Sequence, residues 1–187
     1  MRRALRRIWL VVIVRVWPLA RFWYRVWGLT LDGRPEDLVW YFAYGANMHD
    51  NAFVLRRGMR PVEWRAGRIT GYRLRFNLDG RPKGKAGPAN ISLEAKGEVW
   101  GVLYRISFRE LVLLNASEGV PGRRYRPVWL TAEDRSANPL HAVAYLADGN
   151  EMDGNPSLRY ITLLRDGARA HDLPEHWIEF LAAVDPA

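Results

Sequence analysis

A mixed α/β domain is what this 187-residue sequence predicts. Three observations carry that expectation. Six segments rich in bulky, β-prone residues, at 39–44, 68–78, 89–93, 97–106, 125–132 and 140–147, alternate with only a few helical stretches. One apolar strand runs straight into a glycine loop, Tyr41-Phe42-Ala43-Tyr44-Gly45-Ala46-Asn47-Met48. Ser107 and Glu110 stand at capping-box spacing just before the apolar run Leu111-Val112-Leu113-Leu114.

Residues 1–31 form a first, separate unit. Ile8, Trp9, Val12, Val16, Leu19, Trp23, Val26 and Trp27 share one arc at helical spacing, and Arg3, Arg7, Arg21 and Arg25 cluster opposite. An amphipathic basic helix lying in a membrane interface fits this pattern. The longest uncharged run, Ile8 to Val14, is far short of the roughly 20 residues a spanning helix needs. Packing against the domain, a removable targeting segment, a misplaced start codon and an uncleaved signal anchor are competing readings. Residues 32–38 are rich in turn formers and acids and read as a linker into a domain at 39–187.

Within that domain Val39, Trp40 and Tyr41 suit a buried strand, and Gly45 suits a tight turn. Residues 49–57 read as the first turns of a helix. Residues 107–116 form a capped helix, Asn155-Pro156 opens another, and Leu173-Pro174 opens the last. The last helix carries Trp177, Phe180, Leu181 and Val184 at three- and four-residue steps. Periodicity does not show how the six strands close.

Composition excludes several functions. There is no cysteine, hence no disulfide, thiolate nucleophile or Cys-based metal site. The net charge of +8 suggests nucleic acid only until it is located. Seven arginines and no acid lie in residues 1–31, leaving 21 basic against 20 acidic residues in the rest. The domain is nearly neutral, which argues against a nucleic-acid partner. Three decoys also fall away. Gly80 to Lys85 lacks the spacing of a phosphate loop, Asp148/Asn150/Asp153 break the calcium-loop pattern at Pro156, and His171 and His176 lack a third ligand for zinc.

A strand–Gly–helix step gathers backbone N–H groups that can hold a carboxylate or phosphate. That loop is followed, in order, by Gly97-Glu98-Val99-Trp100-Gly101-Val102, Glu118-Gly119-Val120 with Tyr125, Pro156-Ser157-x-x-Tyr160, and Asp172-Leu173-Pro174-Glu175. Together these resemble the gamma-glutamyl cyclotransferase-like (AIG2-like) family from about Trp40 to Pro186. The resemblance implies a small closed β-barrel of about six strands flanked by helices. It also implies a cofactor-free enzyme that turns a γ-glutamyl amine or amino acid into 5-oxoproline and a free amine.

By the same resemblance Glu118 is the general base and then acid. Tyr41, Phe42, Ala43, Tyr44, Gly45 and Ala46 form the binding strand and loop with Asn47, Tyr160 binds substrate, and the Tyr125 hydroxyl orients the carboxylate. A free glutamate titrates near ~4.3, so base work at neutral pH leads us to expect a partly buried Glu118 with a raised pKa. Ala46 stands where the family usually has serine, removing one hydroxyl. The expected partner is a small γ-glutamyl molecule. The expected location is cytoplasmic, with a membrane surface reached through residues 1–31. The alternative is a non-catalytic module that binds a γ-glutamyl-like ligand or peptide at a membrane. Oligomeric state is open.

Overall fold

Five strands close into a barrel in a computed structural model that describes residues 34–80 and 87–187, together with Phe22. The amphipathic arm of residues 1–31, Phe22 apart, and the basic stretch 81–85 lie outside the described residues. The strands are β1 (Leu38–Ala43), β2 (Glu63–Arg75), β3 (Asn90–Ser107), β4 (Arg126–Asp134) and β5 (Pro139–Leu146), in barrel order β1-β3-β2-β4-β5. Three helices flank them: α1 (Phe108–Glu118), α2 (Leu158–Ala170) and α3 (Glu175–Ala182).

The strand count corrects the expected six to five. Segments 89–93 and 97–106 are one strand, because Glu94, Ala95 and Lys96 between them continue it. Those residues face solvent, which is why they read as a break. They lie opposite Gly71 of β2, where the pairing register shifts between Thr70 and Tyr72 and β3 carries the extra residues. β2 also begins at Glu63, earlier than expected, extending its ladder with β3 down to Arg105.

β1 closes the ring. It pairs antiparallel with β3 over its whole length, and parallel with β5 at Trp40↔Ala142 and Tyr41↔Val143. The barrel interior and the helix contacts are apolar: Phe42, Val99, Val102, Leu103, Ile106, Val143, Leu164 and Leu181 are all fully buried. Phe53 stacks on Tyr104 with ring centroids 4.3 Å apart, fastening the segment after β1 to β3.

That segment is not an α-helix. A 3-10 turn at Ala46–Met48 is followed by a π-helical turn at Asn51–Arg56. Neither has a side-chain cap or an acid in its first turn, so no local signal enforces tighter winding. π-Turns recur at functional sites. This one delivers Arg57 to the cavity described below.

The capping box is formed as expected. The Ser107 hydroxyl accepts from the Glu110 N–H, and the Glu110 carboxylate accepts from the Ser107 N–H at 3.0 Å. α1 ends at Glu118 because Gly119 turns left-handed, at φ 76°, where a side chain would be strained. α2 starts two residues later than Pro156 suggests, since Ser157 caps it through the Tyr160 N–H. Pro174 stands at the N-cap position of α3, which buries Trp177 and Leu181.

Removing the cap of α1 by Ser107→Ala should cost about 1 kcal/mol of unfolding free energy. Urea denaturation followed by tryptophan fluorescence measures it. An unchanged midpoint would mean that packing alone holds the start of this helix.

Candidate active site

A cavity of about 460 Å³ opens where β1 and β5 end, β4 begins and α1 terminates. Tyr41, Tyr44, Gly45, Ala46 and Asn47 line it, as do Glu118, Tyr125 and Tyr160. Eight of the ten residues singled out from sequence therefore meet in one place. Phe42 and Ala43 do not. Both are fully buried in the core, because the ladder with β3 continues through Ala43↔Val102 before the chain leaves the sheet.

Glu118 is largely buried, its side chain retaining 12% exposure. One oxygen, Oε1, accepts from Asn47 Nδ2 at 2.9 Å and pairs with Arg57 Nη2 at 2.9 Å. Asn47 Nδ2 gives its other proton to the Tyr41 hydroxyl at 2.8 Å. Arg57 in turn is spent on three partners: Nε donates to Asn47 Oδ1 at 2.7 Å, Nη1 to Ser117 Oγ, and Nη2 to Glu118. The carboxylate thus sits in a closed ring of donors, while its second oxygen has no hydrogen bond among the described residues. A fixed, partly desolvated carboxylate with a free oxygen is a proton acceptor whose geometry does not wander.

The burial of Glu118 is as expected, but its orientation has a different source. The Tyr125 hydroxyl donates to the Ala89 carbonyl at 2.9 Å, and Arg57 with Asn47 does the orienting. Sequence reasoning missed Arg57 altogether. It lies ten residues beyond Asn47, past a π-turn that no sequence pattern announced, so no local signal could have paired it with Glu118.

The tyrosines divide into two sets. Tyr44 donates to the Tyr145 carbonyl, Tyr145 to Asn115 Oδ1, and Tyr125 to Ala89. Their protons are committed to the fold. Tyr41 instead accepts from Asn47, and Tyr160 accepts from the Ala89 N–H at 2.9 Å. Each keeps its own O–H proton free of a protein acceptor among the described residues. Burial raises the hydroxyl pKa of Tyr160 to about 12, and it pushes Tyr41, Tyr44 and Tyr125 well above the ordinary phenol value. The nearby Glu118 carboxylate adds to the rise in all four. All four are neutral donors at physiological pH.

Gly45 is needed for space and not for a special turn. Its backbone is extended, at φ −118°, but a Cβ there would lie 3.0 Å from the Tyr160 hydroxyl and 3.4 Å from the Ala89 methyl. The loop, α2 and the start of β3 converge on this point. Among the described residues no group of three His, Cys, Asp or Glu side chains could hold a metal ion. His171 is buried between the Tyr104 hydroxyl at 3.1 Å and the Gly167 carbonyl at 3.0 Å.

A closed barrel with a fixed carboxylate, an arginine and a set of neutral tyrosines at one end defines a small-molecule site for proton-transfer chemistry. Comparison with known proteins shows what the chain resembles. The AIG2-like family profile matches residues 98–181. Mouse gamma-glutamylcyclotransferase is 28% identical over 157 residues, covering 82% of each chain. Among solved structures, a gamma-glutamyl cyclotransferase superposes with a TM-score of 0.74 at 24% identity, over 81% of this chain and 90% of its own. YkqA from Bacillus subtilis superposes at 0.64 with 26% identity, over 81% of this chain and 57% of its own. In sequence and in fold the chain is thus similar to the gamma-glutamyl cyclotransferases.

Replacing Arg57 by Met leaves a mostly buried carboxylate without its cation and Asn47 Oδ1 without a donor. Arg57→Met should lower the unfolding free energy by about 2 kcal/mol at neutral pH. Urea denaturation at constant ionic strength tests this, and a loss below about 0.5 kcal/mol would show that the ring is not holding Glu118.

Proposed function

We propose that this protein is a gamma-glutamyl cyclotransferase that releases 5-oxoproline and a free amine from a γ-glutamyl amine or γ-glutamyl amino acid. The observation that carries the reading is the Glu118 carboxylate, held through one oxygen by Arg57 and Asn47 with its other oxygen open to a tyrosine-lined cavity. Named gamma-glutamylcyclotransferases 28% identical over about four-fifths of the chain support it.

In this reading the γ-glutamyl group folds so that its α-amine faces its own γ-carbonyl. Glu118 takes a proton from the α-ammonium, freeing the nitrogen lone pair to attack the carbonyl carbon. The new C–N bond closes a five-membered lactam, and the negative charge moves onto the carbonyl oxygen. Collapse of that intermediate breaks the original amide bond. Two protons pass in all from the ammonium to the departing nitrogen, so the leaving group exits as an ammonium ion. Glu118 serves as the relay and ends unchanged. Nucleophile and electrophile belong to one molecule, so the main tasks are conformational restriction and stabilisation of developing charge.

Tyr41 and Tyr160 are assigned to the substrate because each has an uncommitted O–H proton at the cavity wall. The backbone around Gly45 and Asn47 lines the same wall and can donate to the oxyanion or to the substrate carboxylate. Ala46 offers only its backbone. Arg57 keeps Glu118 in place as the charge on the carboxylate changes. Residues 1–31 are assigned to recruitment at an anionic membrane surface, on the Arg/Trp pattern of the sequence. Among the described residues no helix is long and apolar enough to cross a membrane.

Glu118→Gln should cut 5-oxoproline release from γ-glutamyl amino acids by about 10³-fold or more while leaving substrate binding within a few fold. Chromatographic assay of 5-oxoproline beside calorimetric binding separates the two effects. Normal turnover by the variant would remove Glu118 from its role. Deleting residues 1–31 should abolish co-sedimentation with vesicles of anionic lipid and preserve turnover. Equal sedimentation with and without the arm would end the membrane assignment.

A further inference from the structure

A second cavity, of about 350 Å³, adjoins the first and shares Arg124 and Tyr125 with it. Arg123, Arg124 and Arg126 line it, against a single acid, the exposed Asp148. None of these three guanidiniums has an ion-pair or hydrogen-bond partner among the described residues. Elsewhere on the barrel, by contrast, Arg65, Arg68 and Arg75 are all tied to carboxylates. The arrangement gathers three unpaired positive charges, Arg124 half-buried and Arg123 and Arg126 exposed, around one cavity that adjoins the first.

The placement of these arginines is built into the backbone. After Glu118 the chain makes a tight turn in which the N–H groups of Gly122 and Arg124 both donate to the Gly119 carbonyl, at 2.9 and 3.1 Å. Arg123 is held left-handed at φ 54°, a conformation that disfavours a side chain by about 1–2 kcal/mol and persists where surrounding contacts fix it. The stem of Arg124 lies against Gly119, where an added Cβ would be 3.1 Å from its own Cβ. Arg124 is therefore positioned relative to Glu118 by the same turn that ends α1. Arg126 opens β4 opposite Leu146, on the far side of the second cavity.

We propose that the second cavity is a leaving-group subsite for anionic extensions, making γ-glutamyl conjugates of acidic amino acids the favoured substrates. This rests on the cyclotransferase reading of the first cavity. An amine departing from Glu118 passes Arg124 first, which meets the α-carboxylate of an amino-acid leaving group. A second carboxylate, a few bonds further along, reaches the space between Arg123 and Arg126. Guanidinium pairs with carboxylate through two parallel hydrogen bonds, so the recognition is directional as well as electrostatic. Cationic leaving groups such as diamines are repelled by the same three charges.

The test compares kcat/KM of the full chain for γ-glutamyl-glutamate, its neutral isostere γ-glutamyl-glutamine, and γ-glutamyl-alanine. The charged isostere should be favoured by about tenfold, and the preference should shrink as salt is raised. Arg126→Gln, and more fully Arg123→Gln with Arg126→Gln, should bring the ratio toward one. Because the ratio is taken within each protein preparation, loss of folded material does not alter it. Turnover of all three substrates with the isosteres within about twofold of each other overturns the subsite while the reaction stands. So does a preference that survives in the double variant. Absence of 5-oxoproline from every substrate overturns the reaction and the subsite together.

Discussion

Five strands cannot close a ring by antiparallel pairing alone, because alternation of direction fails on return to the first strand. One neighbouring pair must run parallel, and here it is β1 with β5. That constraint sets the architecture of the site. Parallel pairing brings the ends of β1 and β5 to the same rim, and β4 starts there because it runs antiparallel to β5. The glycine loop leaves β1 at this rim, Tyr145 sits near the end of β5, and the turn after α1 feeds into β4. Residues separated by as many as 101 positions in sequence, such as Tyr44 and Tyr145, thus become bonded neighbours.

Much of this was legible before any coordinates. Tyr41 to Asn47, Glu118, Tyr125 and Tyr160 stood out through their resemblance to a family's ordered motifs, and the capping box at Ser107 and Glu110 located the helix that carries Glu118. The local signals were a cap, a glycine after an apolar strand, and a proline and serine ahead of a helix. What escaped depends on long-range pairing. Residues 94–96 read as a break unless the pairing with β2 is known. Arg57 becomes a partner of Glu118 only once a π-turn swings it inward. The hydroxyl partners of the tyrosines were equally hidden, since a tyrosine in sequence does not disclose whether its proton is committed.

The site illustrates a division between groups that build a cavity and groups that face into it. Tyr44, Tyr125 and Tyr145 use their protons to stitch β1, β3, β5 and α1 together. Asn47 and Arg57 use theirs to hold one carboxylate oxygen. Among these tyrosines and the carboxylate, two hydroxyl protons and one carboxylate oxygen are left over in the described residues, and Arg124 adds an unpaired cation at the same wall.

The buried phenols also tie the barrel to alkaline conditions. Tyr41, Tyr44, Tyr104, Tyr125 and Tyr160 all hold their protons more tightly when folded than the value near 10 of a solvated phenol, chiefly because burial penalises the phenolate. Above that pH the unfolded chain sheds protons that the folded chain retains. Each such group then favours unfolding by about 1.4 kcal/mol per pH unit, until the pH reaches its folded-state pKa. With five groups acting together, the base limit of this fold is a cooperative release of protons on unfolding.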